Sequence, residues 1–147
     1  MVNSEMVFAG IAAEAAVRLF TVTVHDLDAG LARRAFTSHP AEYPVSGTKP
    51  LTLDDDWSRQ VIVGRKTFVA NTTEGFRQLF PDHALITALG CASVANIPVM
   101  DADGGVAGTV NLLDVEGYFT PARVAALEAL VERHRIDLLA AMKSVAF

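Results

Sequence analysis

The sequence predicts an α+β domain in which antiparallel strands pack against helices gathered on one side. Apolar residues repeat at helical spacing near both ends of the chain. They alternate with polar residues from Phe20 onward, and two apolar runs flank a turn at residues 103–105. The stretch from Pro81 to Asp114 is the most informative, because it holds that turn and also Cys91, the only cysteine, where a helix gives way to a strand.

Composition favours one globular domain over residues 1–147. Apolar residues make up 51% and charged residues 20% of the chain, which argues against a disordered class. The net charge of −5 argues against nucleic-acid binding, because an acidic chain gains nothing from counterion release. No apolar run approaches the roughly 20 residues that span a bilayer. One cysteine permits no internal disulfide and no CxxC or HExxH motif is present, so we expect neither a metal site nor a cofactor.

The N-terminal segment superficially resembles a signal peptide, but it lacks a basic start, and Glu5, Glu14 and Arg18 interrupt its apolar run. We therefore predict a helix of a mature, cytoplasmic protein over residues 5–19, with Ser4 as its cap. One face of this helix carries the apolar stripe Phe8, Ile11, Ala12, Ala15, Ala16 and Leu19.

Alternation predicts the first two strands. Phe20, Val22 and Val24 share one face of the first strand, and a turn at 28–30 leads into a second strand over 31–37.

Residues 38–56 should form a long irregular loop, because three prolines and a glycine forbid regular structure through most of it. Loops of this length inside a compact domain are usually lids or binding loops. A helix over 57–65 should follow it, with Asp55 or Asp56 as the cap.

A short strand over 67–70 and two helical segments, 73–80 and 83–89, precede the last two strands. These strands form a predicted hairpin with arms at 92–100 and 106–113.

Two prolines give further detail on the predicted elements in the second half of the chain. Pro98, in the first arm of the hairpin, indicates a sheet edge or a bulge. Pro121 follows Thr120, and this pair predicts the start of one final helix. The apolar stripe of that helix is Val124, Leu127, Val131, His134, Leu138 and Met142.

The order of elements, together with the closing segment GTVNLLDVEGYFTPARVAALEAL, resembles the GAF domain over about residues 5–143. The matching features are Gly108, Val110 and Leu112 in the last strand, the aromatics Tyr118 and Phe119, and the helix after Pro121. PAS and other profilin-like domains share much of this order. The resemblance implies a central antiparallel sheet of five or six strands, with the terminal helices on one face and ligand-binding loops and short helices on the other.

The resemblance also bears on function. GAF domains are mostly sensory modules attached to kinases, cyclases or transcription factors, and we expect this chain to be a stand-alone version. The best-known enzyme on this fold, free methionine-(R)-sulfoxide reductase, works through cysteine thiols. This chain departs from that pattern, because its single cysteine leaves no second thiol to resolve an intermediate.

Cys91 is the candidate catalytic nucleophile or redox thiol, with His83 as its base, if the chain is a thiol-dependent enzyme. The structural alternative is a small buried cysteine, the commoner role of a lone thiol. Its position after a helix C-terminus favours the alternative, since the negative end of the helix dipole raises a thiol pKa. His83 lies eight residues upstream, so contact with the thiol requires the chain to bend.

Three residues in or after the long loop are candidates for ligand binding. Lys49 is a plausible anchor for an anionic ligand, and Tyr43 offers an aromatic wall with a hydrogen-bonding tip. Trp57 is a candidate wall of the same pocket. The alternatives are a solvated lysine on a surface loop and a tryptophan packed in the core.

Asn71 and Asn111 complete the ligand-binding candidates. A buried asparagine must be hydrogen-bonded, either to the backbone or to a ligand. Counting outward from the turn makes Asn96 and Asn111 neighbours across the hairpin, so cross-strand pairing explains them as well as ligand binding does.

These observations predict a protein that binds or senses a small polar or anionic metabolite, in a pocket between the sheet and the 38–56 loop. The alternative is a thiol-dependent enzyme on the same fold. A third, weaker hypothesis is a pure assembly protein. The amphipathic terminal helices also predict a homodimer formed through them.

Overall fold

The computed structural model describes residues 3–145, in which six antiparallel strands form one sheet of order β3-β2-β1-β6-β5-β4. The predicted α+β class and central antiparallel sheet are confirmed. The strands are β1 (Leu19–Asp26), β2 (Leu31–Thr37), β3 (Lys49–Pro50), β4 (Phe68–Ala70), β5 (Ser93–Met100) and β6 (Val106–Asp114).

Three long helices cover one face of the sheet, which confirms the prediction that the N- and C-terminal helical segments share a face. They are α1 (Ser4–Ala15), α5 (Pro121–Arg133) and α6 (Arg135–Ser144). Their apolar residues form one cluster with the sheet residues that face them, including Phe20, Val22 and Leu112. None of the helices in the described part of the chain is long and apolar enough to cross a membrane.

Short helices and the segment after β2 cover the opposite face. These helices are α2 (Asp56–Ser58), a π-helix (Arg59–Val63), α3 (Thr73–Phe76) and α4 (His83–Ala88). The predicted continuous helix over 57–65 is therefore wrong in type, although its predicted cap is present, since the Asp55 carboxylate accepts from the Ser58 backbone N–H at 2.8 Å.

The first helix ends earlier than predicted, at Ala15. Ala16 adopts a left-handed conformation with φ of 53°, which stops the helix. The chain must leave the helix here because Leu19 already pairs with Leu113 at the start of the β1–β6 ladder. The predicted cap was also wrong, since the Asn3 side chain accepts from Met6 N at 3.2 Å.

The predicted single C-terminal helix is wrong, because His134 breaks it into α5 and α6. The imidazole Nε2 of His134 lies 2.8 Å from Glu14 Oε1, and Arg133 donates to the same carboxylate at 2.7 Å. The break lets α6 lie against both α1 and the sheet. Gly108 permits this approach, since a Cβ there would lie 3.2 Å from the Met142 sulfur.

The proline in β5 is accommodated as predicted. Strand β4 pairs with β5 only as far as Asn96, so Pro98 has a hydrogen-bonded neighbour strand on one side only. The register of the β5–β6 ladder also shifts between Val99 and Met100. The predicted hairpin and its turn are confirmed.

Candidate functional site

A cavity of about 450 Å³ lies between the sheet and the elements that cover its second face. We call residues 38–58 the roof, because Tyr43, Lys49, Trp57 and other members of this segment line the upper side. The roof is tied to the sheet by reciprocal bonds between Arg34 and Ser46, in which Arg34 N donates to Ser46 Oγ at 2.9 Å and Ser46 N donates to Arg34 O at 3.1 Å. The volume is in the usual range for small-molecule sites.

The floor of the cavity consists of Thr21, Thr23, Asn96, Thr109 and Asn111. Strand pairing places these residues in two rows on one face of the sheet, because Thr23 pairs with Thr109, Thr21 pairs with Asn111, and Asn111 pairs with Asn96. Their polar side chains replace the apolar residues that normally fill a sheet face.

A directed chain of hydrogen bonds crosses the floor. Trp57 Nε1 donates to Asn96 Oδ1 at 3.0 Å, and Asn96 Nδ2 donates to Asn111 Oδ1 at 2.8 Å. Asn111 Nδ2 then donates to the hydroxyl oxygens of Thr21 and Thr23, both at 3.1 Å. Because an indole N–H can only donate, Trp57 fixes the orientation of both amides.

The consequence is a floor rich in donors. The Thr21 and Thr23 oxygens already accept from Asn111, and their own hydroxyl hydrogens have no acceptor among residues 3–145. The Thr109 hydroxyl likewise makes no hydrogen bond within the described chain. A ligand that offers acceptor atoms complements such a surface.

One end of the cavity carries a charged cluster that we call the Arg34 clamp, formed by Arg34, Tyr43 and Asp82. Arg34 Nη2 donates to Asp82 Oδ2 at 2.9 Å, and the Tyr43 hydroxyl donates to the same oxygen at 3.1 Å. The guanidinium carbon lies 3.8 Å from the centroid of the Tyr43 ring. Burial raises the pKa of Tyr43 well above its usual value, so the phenol stays a donor.

Apolar side chains close the cavity near the clamp. We call Phe80, Ile86, Val94 and Leu113 the apolar end. Val94 and Leu113 pair across β5 and β6 in the row next to the two asparagines, so polar and apolar surfaces adjoin. The arrangement suits a molecule with one polar and one apolar part.

His25 lies on the far side of the floor from the apolar end. Burial lowers the pKa of its imidazole to about 4, and a hydrogen bond with the Val106 backbone opposes this shift only in part. Its Nδ1 atom is buried without a hydrogen-bond partner among the described residues. The ring is therefore neutral at pH 7 and adds no charge to the cavity.

Solved GAF domains share this architecture over nearly the whole chain. The GAF domain of a two-component sensor histidine kinase from Bacillus halodurans aligns over 98% of this chain and 99% of its own, with a TM-score of 0.74 and 11% identity. A GAF domain/HD domain protein from Geobacter sulfurreducens aligns over 97% and 95%, with a TM-score of 0.72 and 13% identity. The fold is that of a GAF domain.

The GAF-B domain of DevS from Mycobacterium smegmatis is a further structural match, at 18% identity and a TM-score of 0.64, covering 97% of each chain. No protein-family model and no curated protein matches the sequence. The predicted GAF-like fold is thus confirmed by structural likeness.

Within this GAF fold, Cys91 lies outside the cavity. It is 1% exposed and packs with Leu19, Phe76 and Ile86 in an apolar cluster. Burial, with a smaller contribution from the nearby Asp114 carboxylate, raises the pKa of its thiol to about 11. The sequence predicted the direction of this shift, but the main cause is burial and not the helix dipole.

His83 starts α4 and makes no side-chain hydrogen bond with Cys91. It does not line the cavity either. The structure therefore does not assemble the thiol–imidazole pair of the enzyme hypothesis. Within residues 3–145, no three His, Cys, Asp or Glu side chains converge to hold a metal ion.

The remaining candidates divide into two groups. Tyr43, Lys49, Trp57 and Asn111 all line the cavity, whereas Asn71 does not. Both polar atoms of the Asn71 amide are used by Phe119, whose backbone N–H donates to Oδ1 at 2.9 Å and whose carbonyl accepts from Nδ2 at 3.0 Å. Asn71 therefore joins β4 to the segment before α5.

Sequence reasoning missed Arg34, Asp82 and the three floor threonines, Thr21, Thr23 and Thr109. Alternation gave a usable signal for the first two threonines, since Thr21 and Thr23 occupy the polar face of β1. No local signal marks Arg34 or Asp82, which are 48 residues apart and meet only in the folded chain.

Proposed function

We propose that this GAF-fold chain binds a small polar or anionic metabolite in the cavity between the sheet and the roof. The donor-rich floor carries the proposal. A chain of hydrogen bonds starts at a donor-only indole and ends on two threonines that line the cavity, and the hydroxyl groups of these threonines have no acceptor among residues 3–145. Buried donors of this kind are normally satisfied, so an acceptor-bearing ligand is the natural complement.

The placement of the thiol supports binding over thiol chemistry. A nucleophilic cysteine must be accessible and must form a thiolate, and Cys91 meets neither condition. The Bacillus halodurans GAF domain that shares the fold belongs to a sensor histidine kinase, and sensing is the context we propose for this binding.

The proposal is tested by recovering the ligand. The purified protein is incubated with an extract of small metabolites and separated from unbound molecules, and the retained molecules are released and identified by mass spectrometry. We expect Thr23→Leu, which fills the floor and removes a hydroxyl, to lose the retained molecule. Thr87→Leu, at an exposed position on α4, is the matched control and should keep it.

Trp57 provides an independent readout, because it is the only tryptophan and lies against the cavity. Its emission should change when the recovered metabolite is added to the wild-type protein. If no molecule is retained, and no member of a broad metabolite panel alters Trp57 emission, the proposed function is wrong.

We also propose a homodimer formed through the terminal helices. Met6 on α1 is 71% exposed and Ile136 on α6 is 77% exposed, which supports a partner surface there. Light scattering should give twice the monomer mass, and Met6→Glu combined with Ile136→Glu should give a monomer. Val63→Glu, an exposed apolar position on the π-helix, is the control. A monomeric wild-type protein at micromolar concentration would contradict this proposal.

A further inference from the structure

We infer that the ligand is a small organic monocarboxylate. The Asp82 carboxylate occupies the position of the ligand's carboxylate, and the ligand displaces it from Arg34 and Tyr43 on binding. This inference rests on the proposed function and specifies both the chemical class of the ligand and the group that it replaces.

The Arg34 clamp has the form of a carboxylate receptor. Two donors, the guanidinium and the Tyr43 hydroxyl, converge on one oxygen of Asp82 at 2.9 and 3.1 Å. Charge-assisted bonds of this kind are the strong ones in a partly buried site. The receptor borders the cavity, and all three side chains contribute to its lining.

The two donors are held by contacts that do not involve Asp82. The Arg34 side chain is only 13% exposed, and its Nη1 donates to Pro44 O at 2.7 Å. The ring of Tyr43 stacks under the guanidinium, and the residue is 7% exposed. The receptor therefore keeps its geometry without Asp82, which is the condition for binding a second carboxylate in its place.

Asp82, in contrast, is loosely held. Its side chain is 44% exposed, and the clamp uses only its Oδ2 atom. It sits at the start of α4 but makes no capping hydrogen bond there. A displaced Asp82 side chain can rotate outward into the solvent with little desolvation cost, since nearly half of it is already exposed.

Charge balance selects a monoanion. Arg34 is neutralised by one carboxylate, and His25 is neutral at pH 7. The other charged lining residues, Lys49 and Asp55, have formal charges of opposite sign. A monocarboxylate restores this balance after exchange, whereas a dianion would bring a second, unpaired charge into a partly buried site. A neutral ligand would leave Arg34 with Asp82 and gain nothing from the receptor. The adjoining apolar end can take the hydrocarbon part of such an acid.

The test compares acids with their neutral amides. Phenylacetate and 4-methylvalerate are each titrated beside the corresponding primary amide, with Trp57 emission as the signal, on the wild-type chain and on Asp82→Asn. We expect each acid to bind at least tenfold more tightly than its amide. In Asp82→Asn the acids should bind about tenfold more tightly again, because the competing carboxylate is gone and the receptor is free in most molecules.

Control variants separate the clamp from general effects. Asp103→Asn makes the same charge change in an exposed turn and should leave all affinities unchanged. Arg34→Gln should remove the preference for acids over amides. Tyr43→Phe, which deletes one hydroxyl, should weaken acid binding several-fold and leave amide binding unchanged, so the test holds even if Arg34→Gln does not fold.

The outcomes are distinct. Equal binding of acids and amides, or acid binding that Asp82→Asn leaves unchanged or weakens, overturns the inference while the proposed function stands. The inference also falls if neither acids nor amides bind to either protein. The proposed function falls only if the metabolite screen is negative as well.

Discussion

Replacing the two floor asparagines tests whether the hydrogen-bond chain is one cooperative unit. Asn111→Leu removes three hydrogen bonds and strands the buried Asn96 amide. Asn96→Leu removes two hydrogen bonds and strands Trp57 Nε1 and Asn111 Oδ1. At about 1 kcal/mol for each net hydrogen bond, these changes cost roughly 3 and 2 kcal/mol of unfolding free energy.

Combining the two substitutions should lower the free energy of unfolding by clearly less than the sum of the two single effects. The bond between the asparagines is counted once instead of twice, and no amide is left facing a leucine. The double variant Asn96→Leu with Asn111→Leu loses four hydrogen bonds, so we expect a cost of about 4 kcal/mol and a coupling energy of about 1 kcal/mol. The Tm of Asn111→Leu should fall by roughly 6–12 °C, given about 2–4 °C per kcal/mol for a chain of this size.

Urea unfolding followed by far-UV circular dichroism measures these free energies, since Trp57 emission is itself changed by Asn96→Leu. Thr109→Val is the control, because it changes the same floor but removes no hydrogen bond within the described chain, and it should cost less than about 0.5 kcal/mol. If the two asparagine variants are additive within about 0.5 kcal/mol, the residues do not act as a unit and the reasoning fails.

Three further predictions concern acid sensitivity, thiol reactivity and close packing. The pKa of His25 is about 4 in the folded chain and about 6.5 in the unfolded chain, so the unfolded state takes up the proton first. The free energy of unfolding should therefore fall by on the order of 3 kcal/mol as the pH is lowered from about 6.5 to about 4. His25→Gln should flatten this part of the stability curve, measured by urea unfolding at each pH. Alkylation of Cys91 by iodoacetamide should be slow at pH 8 and should accelerate in urea, and rapid labelling of the native protein would contradict its burial. Gly108→Ala should cost roughly 2 kcal/mol or more in unfolding free energy, because the added Cβ would overlap the Thr23 backbone oxygen. The control, Gly10→Ala on the exposed face of α1, should stabilise the chain by about 0.5–1 kcal/mol, because its Cβ meets no atom within 4 Å and alanine favours the helix.

Local patterns were enough to predict most of the elements. Strand β2 has the predicted bounds, and the β5–β6 hairpin and the start of α5 were placed within one residue. Alternation and capping residues encode such elements locally, so tertiary context was not needed. The errors occurred where packing overrode these signals, at the early end of α1 and at the break at His134.

The site was predicted less completely, and the reason is sequence distance. Tyr43, Lys49, Trp57 and Asn111 were identified because each is an unusual residue in its own segment, and they line the cavity. Asn71 was equally conspicuous, yet its amide serves the backbone of the segment before α5. A polar residue's own segment does not reveal which partner it will meet.

The amino-acid sequence alone determined the periodicity of the strands, the turns between them and the amphipathic character of the terminal helices, because neighbouring residues set backbone preference. Only the tertiary structure decided that β6 lies between β1 and β5, which lines up Thr21, Asn111 and Asn96 in one row. It also decided that Arg34 meets Asp82 and that Cys91 is enclosed. Those contacts join segments far apart in the chain, and only the packed core fixes which of them approach one another.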